Sequence, residues 1–433
     1  MIDIRKHKNF CILPWTHLYK DTDQTVKMCC ADRGTPIGDL KKDSYNDIRN
    51  NSEFKKLRKS FLKDERLPRC NECWEREDAG IVSLRKEHTE NFIKNNWYFT
   101  DITEYNITYF DFRTSNLCNL GCKICNPHFS TVLATAWDKT GLLEVNNYTE
   151  GKDYFLNYNK KRIKFDSLNI LTEDLEMIYF AGGEPIIAEE HWAILDKLVA
   201  EKMFHVRLFY NTNFTNLKYK DKDIVEYWKK FDSVILSLSL DGIEESFNYW
   251  RTGGDWKDIV ANLNYVKKFI DLGYDNIKLG VTSATGWMNF REVFRLHKFL
   301  VDGGYIRTDS TARQTFTLQP VFGPRGASFS HTPPLIVDEM LELADEYQEW
   351  ANETFKGNVI DYISGIKNLI NQNNFSLKLL RDWLDQNKRL DSYFGTKLKN
   401  VYTFKTKGFG DILQDYYDDL DEPPQKLLKF KLL

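Results

Sequence analysis

The chain has no apolar run of about eighteen residues or more, the length needed to cross a bilayer, and its polar start MIDIRKHKNF lacks the apolar core of a secretory signal. A cytoplasmic protein with no membrane partner is therefore expected. Charge of one sign is also missing. Sixty basic residues against 63 acidic ones leave a net charge of −3, which gives no overall attraction to phosphate backbones or anionic lipid. Basic and acidic residues alternate, as in Lys41-Lys42-Asp43 and Lys63-Asp64-Glu65, so no stripe for nucleic acid is expected either. The eight histidines show no metal-ligand spacing such as HxxxH, and none is assigned a role. No low-complexity tract breaks the chain. The last absence is the most informative: residues 126–433 contain no cysteine.

All eight cysteines thus lie in the first 125 residues. In a reducing compartment, clustered thiols bind metal or do redox chemistry more often than they form disulfides. Cys118, Cys122 and Cys125 fall within one short loop, while Cys11, Cys29, Cys30, Cys70 and Cys73 precede them. The rest is the composition of a folded protein, with 42% hydrophobic and 28% charged residues over 433 positions, long enough for two or three domains.

From about residue 105 to 322, β-rich runs alternate with helical patterns, which predicts βα units and a parallel sheet. Six strands are expected, at Ile107–Phe112, Met177–Phe180, Val206–Tyr210, Val234–Leu240, Ile277–Ser283 and Thr315–Val321. Helices are expected over Glu189–Met203 and Trp256–Ile270. The fold class is α/β, a partial (β/α)6 barrel, with a doubly wound open sheet as the alternative. A cysteine-bearing module over residues 1–100, with a helix at Tyr45–Leu62, precedes the barrel at 101–330. A helical extension follows over 331–433, with helical patterns around Met340–Ala351, Ile363–Ile370 and Leu377–Leu384.

The segment Phe112-Arg-Thr-Ser-Asn-Leu-Cys118-Asn-Leu-Gly-Cys122-Lys-Ile-Cys125 puts three thiols in the loop leaving the first strand, enough for three corners of a cubane iron–sulfur cluster. With no cysteine downstream, one iron is left open, the mark of a catalytic rather than a structural centre. A zinc site of three cysteines completed by His128 is the other reading. After the second strand comes Ala181-Gly182-Gly183-Glu184-Pro185, at the edge of a parallel sheet where ligands bind; its glycines permit close backbone approach and Glu184 offers a carboxylate.

With these two motifs one strand apart, the chain resembles the radical S-adenosylmethionine (SAM) superfamily. The resemblance implies that Cys118, Cys122 and Cys125 ligate a [4Fe–4S] cluster, whose open iron chelates the amino and carboxylate groups of SAM. Glu184 and the Gly182–Gly183 backbone would hold the methionyl amino group. One electron would then break a carbon–sulfur bond to give a 5′-deoxyadenosyl radical that takes hydrogen from a substrate. Asn213, in Tyr210-Asn-Thr-Asn213, matches a strand end facing the cofactor. Ser239, which shares a strand face with Ser237 and Asp241, is the expected ribose contact, and Arg251 the expected partner of the cofactor carboxylate. Solvated or capping roles are the plain alternative for each.

The amino-terminal cysteines resemble the twitch and SPASM auxiliary modules of that superfamily, in the shorter form. This implies a second, auxiliary [4Fe–4S] cluster on Cys11, Cys29, Cys70 and Cys73, with a zinc knuckle as the alternative. Two departures stand out: the module precedes the barrel, and Gln24 occupies the place of a glycine common five residues before the middle ligand. The resemblance favours Cys29 over Cys30 because Cys29 keeps the modules' spacing from that turn, and neighbouring side chains on an extended strand point opposite ways, so only one faces the metal. A second cluster could relay electrons, accept one from a substrate radical, or only staple the module. The implied partners are an electron donor such as flavodoxin or ferredoxin and a peptide or small polar substrate. Trp97, Trp250, Trp256 and Trp287 could line its pocket or be core. No general acid or base is assigned, and a non-enzymatic iron–sulfur or zinc scaffold is the competing reading.

Overall fold

The computed structural model describes residues 3–78, 80, 82–94, 107–159, 172–308, 316–355, 360–398 and 401–420. Trp97, the 100/101 module boundary and Thr315 lie outside the described residues.

Among the described residues eleven strands form: β1 His17–Lys20, β2 Thr25–Lys27, β3 Gly38–Asp39, β4 Tyr109–Arg113, β5 Met177–Ala181, β6 Arg207–Thr212, β7 Lys218–Tyr219, β8 Lys222–Asp223, β9 Val234–Ser239, β10 Ile277–Thr285 and β11 Phe316–Pro320. Nine of them make one sheet in the order β11-β10-β9-β6-β5-β4-β1-β2-β3, and β7–β8 is a separate hairpin. From β4 to β11 every neighbouring pair is parallel and the order never reverses. A doubly wound sheet reverses at a switch point, so the strand order is that of a partial barrel. All six predicted strands are present within a residue or two of their expected ends.

The sheet also holds a strand that the periodicity did not reveal. β1, from the cysteine-bearing module, pairs parallel to β4 with Tyr19 beside Asp111, so the module extends the barrel past its first strand. The antiparallel β2 and β3 then cap that edge. At the β1–β2 turn, Gln24 has φ 76°, the left-handed conformation that a glycine takes without cost. The turn keeps its shape with glutamine in place, at a cost of about 1–2 kcal/mol.

Burial alternates throughout β6 and β11 and along parts of the other barrel strands. Phe110, Phe112, Ile178, Phe180, Leu208, Tyr210, Leu236 and Leu238 are fully buried against the covering helices. The intervening Tyr109, Arg113, Tyr179, Phe209, Asn211, Ser239, Thr282, Thr317 and Gln319 are half-buried. A two-residue alternation puts these on the opposite, inner face, which is open enough to keep accessible surface.

The expected helix over Tyr45–Leu62 is two helices, Tyr45–Asn50 and Ser52–Leu62. Asn51 is extended between them, and its side chain caps the second by accepting from Phe54 N–H. In the extension, Val337–Phe355, Ile360–Asn371, Leu377–Phe394 and Phe409–Asp418 are helical. Trp250, Trp256 and Trp287 are core residues, with Trp250 and Trp287 packed on Trp383 from the helix Leu377–Phe394.

Candidate metal and cofactor centre

The loop after β4 carries the three thiols, and its geometry depends on the turn after β5. Gly183 and Glu184 donate their amides to Ser115 O and Leu117 O at 2.7 and 2.8 Å. A Cβ on Gly183 would lie 2.1 Å from Leu117 O, and one on Gly182, where φ is +113°, 2.8 Å from Ser115 O. The glycines therefore admit the cysteine loop's own backbone, and both amides are engaged there. The sequence reading had assigned that close approach to a ligand.

Glu184 is fully buried and joins this turn to the end of β6. Its Oε1 accepts from Ile186 N–H and the Thr212 hydroxyl, and its Oε2 from Asn213 N–H at 2.7 Å. One acceptor position is left on Oε2. Burial pushes the carboxyl up to about 7, against these hydrogen bonds and the Arg251 charge, which favour its ionised form.

Asn213 and Arg251 complete the surroundings of the thiols. Asn213 Nδ2 reaches Cys118 Sγ at 3.9 Å and Asn119 Oδ1 at 2.9 Å. Arg251 Nη1 reaches Cys122 Sγ at 3.9 Å, while its Nε is held 2.6 Å from Asp241 Oδ2. Asp241 in turn accepts from Ala284 N–H on β10. The sequence reading placed Asp241 on the face with Ser239 but gave it no role; the structure makes it the anchor of Arg251. Ser239 is half-buried on the inner face at the end of β9, beside Thr282.

Burial pushes all three thiols up; neighbouring thiols push Cys118 and Cys125 further, Cys125 to about 12, while the Arg251 charge opposes the shift at Cys122. Such a group keeps its protons until a cation displaces them, as coordination to iron does. N–H donors at two of the three sulfurs match the hydrogen bonding that tunes iron–sulfur centres. His128, which a zinc site would use, instead sits 3.0 Å from the Tyr158 hydroxyl through Nδ1 and packs edge-on against Phe155. Among the described residues, no three His, Cys, Asp or Glu side chains converge closely enough to hold a single ion.

The second constellation is gathered from three separate segments. Cys11, Cys29, Cys70 and Cys73 line one cavity with Met28, Phe61 and Arg85. Cys70 ends the short helix Pro68–Cys70 and Cys73 lies in Asn71–Asp78, so their spacing of three residues turns both toward one side. Asp32 fixes the Cys29 loop by accepting from Met28 N–H and from Arg69 through two 2.7 Å bonds. Burial raises all four thiols, Cys70 to about 12. Cys30 does not line this cavity.

Two family models match the chain: the radical SAM superfamily over residues 112–280, and SPASM, an iron-sulfur cluster-binding domain, over residues 11–74. The chain carries a radical SAM domain and a SPASM domain. Its cofactors are accordingly a [4Fe–4S] cluster and SAM at the barrel, with further iron–sulfur in the amino-terminal domain. Among solved structures, Streptococcus suis SuiB bound to S-adenosylmethionine is 14% identical, covering 67% of this chain and 51% of that one at a TM-score of 0.33. SuiB bound to precursor peptide SuiA is 17% identical, covering 57% and 51% at 0.29. Native anSMEcpe with bound AdoMet and Cp18Cys peptide is 18% identical, covering 58% and 62% at 0.35. This radical SAM chain thus spans about half the length of the SuiB structures, and likenesses this low carry no argument about its substrate. No curated protein matches it. No helix among its described residues is long and apolar enough to cross a membrane.

Proposed function

We propose that the chain cleaves SAM reductively at the cluster held by Cys118, Cys122 and Cys125, and that the resulting 5′-deoxyadenosyl radical takes hydrogen from a peptide or small polar metabolite. The observation that carries this reading is the junction of the three-thiol loop with Glu184, Asn213 and Arg251 at the carboxyl ends of the parallel strands. Arg251, pinned by Asp241, would present its remaining donors to the cofactor carboxylate. Glu184 would receive the cofactor ammonium on its free Oε2 position. Ser239 would take the ribose. The electron would come from a low-potential donor of the flavodoxin or ferredoxin type.

Iron-replete protein reduced anaerobically with dithionite is expected to release 5′-deoxyadenosine and methionine together. Zinc at both sites and neither product would favour the scaffold reading instead.

The Glu184 assignment makes a signed prediction about pH. With its pKa raised to about 7, Glu184 carries a proton below that pH in SAM-free protein, and a bound ammonium must displace it. SAM affinity should therefore fall as pH drops through 7, approaching roughly tenfold per pH unit well below it. Equilibrium dialysis of oxidised, cluster-loaded protein would read this. Glu184→Gln should bind more weakly and lose the slope; a slope unchanged in that variant would assign the proton elsewhere.

A further inference from the structure

The inner face of the sheet is chemically lopsided. On β6, β9, β10 and β11 its half-buried positions are neutral, namely Phe209, Asn211, Ser239, Thr282, Ala284, Thr317 and Gln319, while Arg207 and Lys278 there are exposed. Below the rim, where Asp241 already holds Arg251, a buried charge pair lies on β4, where Asp111 and Arg113 face each other at 2.8 and 3.1 Å. The guanidinium lies over the rings of Tyr19 and Tyr179, 5.5 and 4.9 Å from their centroids. Register puts Tyr19, Asp111, Tyr179 and Phe209 side by side in one layer, with His17 beside Tyr109 in the layer below. Lys20, by contrast, is on the opposite face over Phe112.

This cluster has groups with nothing to bond. His17 is nine-tenths buried and its Nδ1 bonds Met28 O at 3.0 Å, which leaves Nε2 as an acceptor without a partner. Asp111 accepts one hydrogen bond from Arg113, from Nη2, while Asp111 Oδ1 and Arg113 Nε, 2.8 Å apart, make no aligned hydrogen bond. Cys30 forms one wall. It is exposed, and lies within electrostatic reach of Asp111, Arg113, Tyr19, Tyr109 and Tyr179. Cys29 and Cys30 therefore straddle a single wall, with Cys29 on the four-cysteine cavity and Cys30 on the hollow of the barrel.

We propose that His17, Tyr19, Asp111, Arg113 and Tyr179, with Cys30 on one wall, form the substrate pocket, and that this pocket takes a net-neutral, planar, hydrogen-bonding group such as an amide or a heteroaromatic ring. The proposal rests on the radical SAM reading above and names the substrate class for it. The pair Asp111–Arg113 neutralises itself. A carboxylate or ammonium entering beside it would be a buried charge without a counter-ion, whereas a neutral planar group meets aromatic walls, guanidinium donors and an imidazole acceptor.

The test uses three probes of one shape, benzamide, benzoate and benzylammonium, titrated into anaerobic, iron-replete protein with SAM and followed by ligand-observed NMR. Benzamide is expected to bind roughly tenfold more tightly than either charged probe. Asp111→Asn leaves Arg113 uncompensated and should move the preference to benzoate. If that variant does not yield iron-replete protein, Arg113→Met should move it to benzylammonium. Wild-type protein that binds a charged probe as well as benzamide, or none of the three, overturns the proposal, as does a ranking that neither variant changes. A preparation that forms 5′-deoxyadenosine but shows no such preference removes the pocket while leaving the radical SAM reading intact.

Discussion

Cys122→Ala is expected to abolish 5′-deoxyadenosine formation and to leave about four iron atoms per chain where the parent holds about eight, whereas Cys70→Ala is expected to lose a similar amount of iron and keep cleaving SAM. The two constellations share no ligand. Cys122 lies in the loop clasped by Ser115 O and Leu117 O to the Gly183–Glu184 turn, and Arg251 reaches its sulfur. Cys70 lines the separate cavity closed by Cys11, Cys29 and Cys73. Iron and acid-labile sulfide, read beside product formation, separate the two sites. Loss of SAM cleavage in Cys70→Ala protein that still holds about four iron atoms would mean that the amino-terminal cluster is an obligatory electron relay to the barrel.

The asymmetry between the two variants follows from how the amino-terminal domain joins the barrel. β1 is parallel to β4 and contributes His17 and Tyr19 to the inner face. Four residues, His17-Leu-Tyr-Lys20, offer too short a pattern to distinguish a buried parallel strand from a loop, so the sequence reading treated the domain as an appendage. The barrel strands were legible because each is a dense β-rich run between helical patterns. The cysteine clusters were legible because cysteine is rare here, and the fold brings Cys11, Cys29, Cys70 and Cys73 to one cavity. Split helices and substituted turns were not: Asn51 and Gln24 act through local backbone conformation, which composition does not report. The Gly-Gly pair was recognised as a place of close approach, but only the fold reveals that the approaching backbone is residues 115–117 of the same chain. Asp241 shows the same limit, since its partner Arg251 lies across a helix and a turn. A contact between residues 268 positions apart, Lys123 and Asp391, left no local trace at all.

That contact carries the second large effect: Asp391→Leu should destabilise the iron-replete protein by about 3–5 kcal/mol and release iron from the barrel site. Lys123 stands between Cys122 and Cys125 and is wholly buried; burial lowers its pKa, and Asp391 opposes that shift. Its Nζ lies 2.5 Å from Asp391 Oδ1 and 3.0 Å from the Thr396 hydroxyl. Asp391 accepts as well from the hydroxyls of Thr396, Tyr249 and Tyr417. A few residues away, the Phe394 ring covers Gly121 so closely that a Cβ there would come within 2.5 Å. The helix Leu377–Phe394 thus holds the cysteine loop by a charge and a ring together. Removing the carboxylate alone strands a buried ammonium in the loop that carries the cluster, whereas Lys123→Met with Asp391→Leu removes both charges and should recover most of the loss. Urea midpoints and iron retention of the two single variants and the double one measure this coupling. Losses that simply add would show that the extension covers the cluster loop without fixing it.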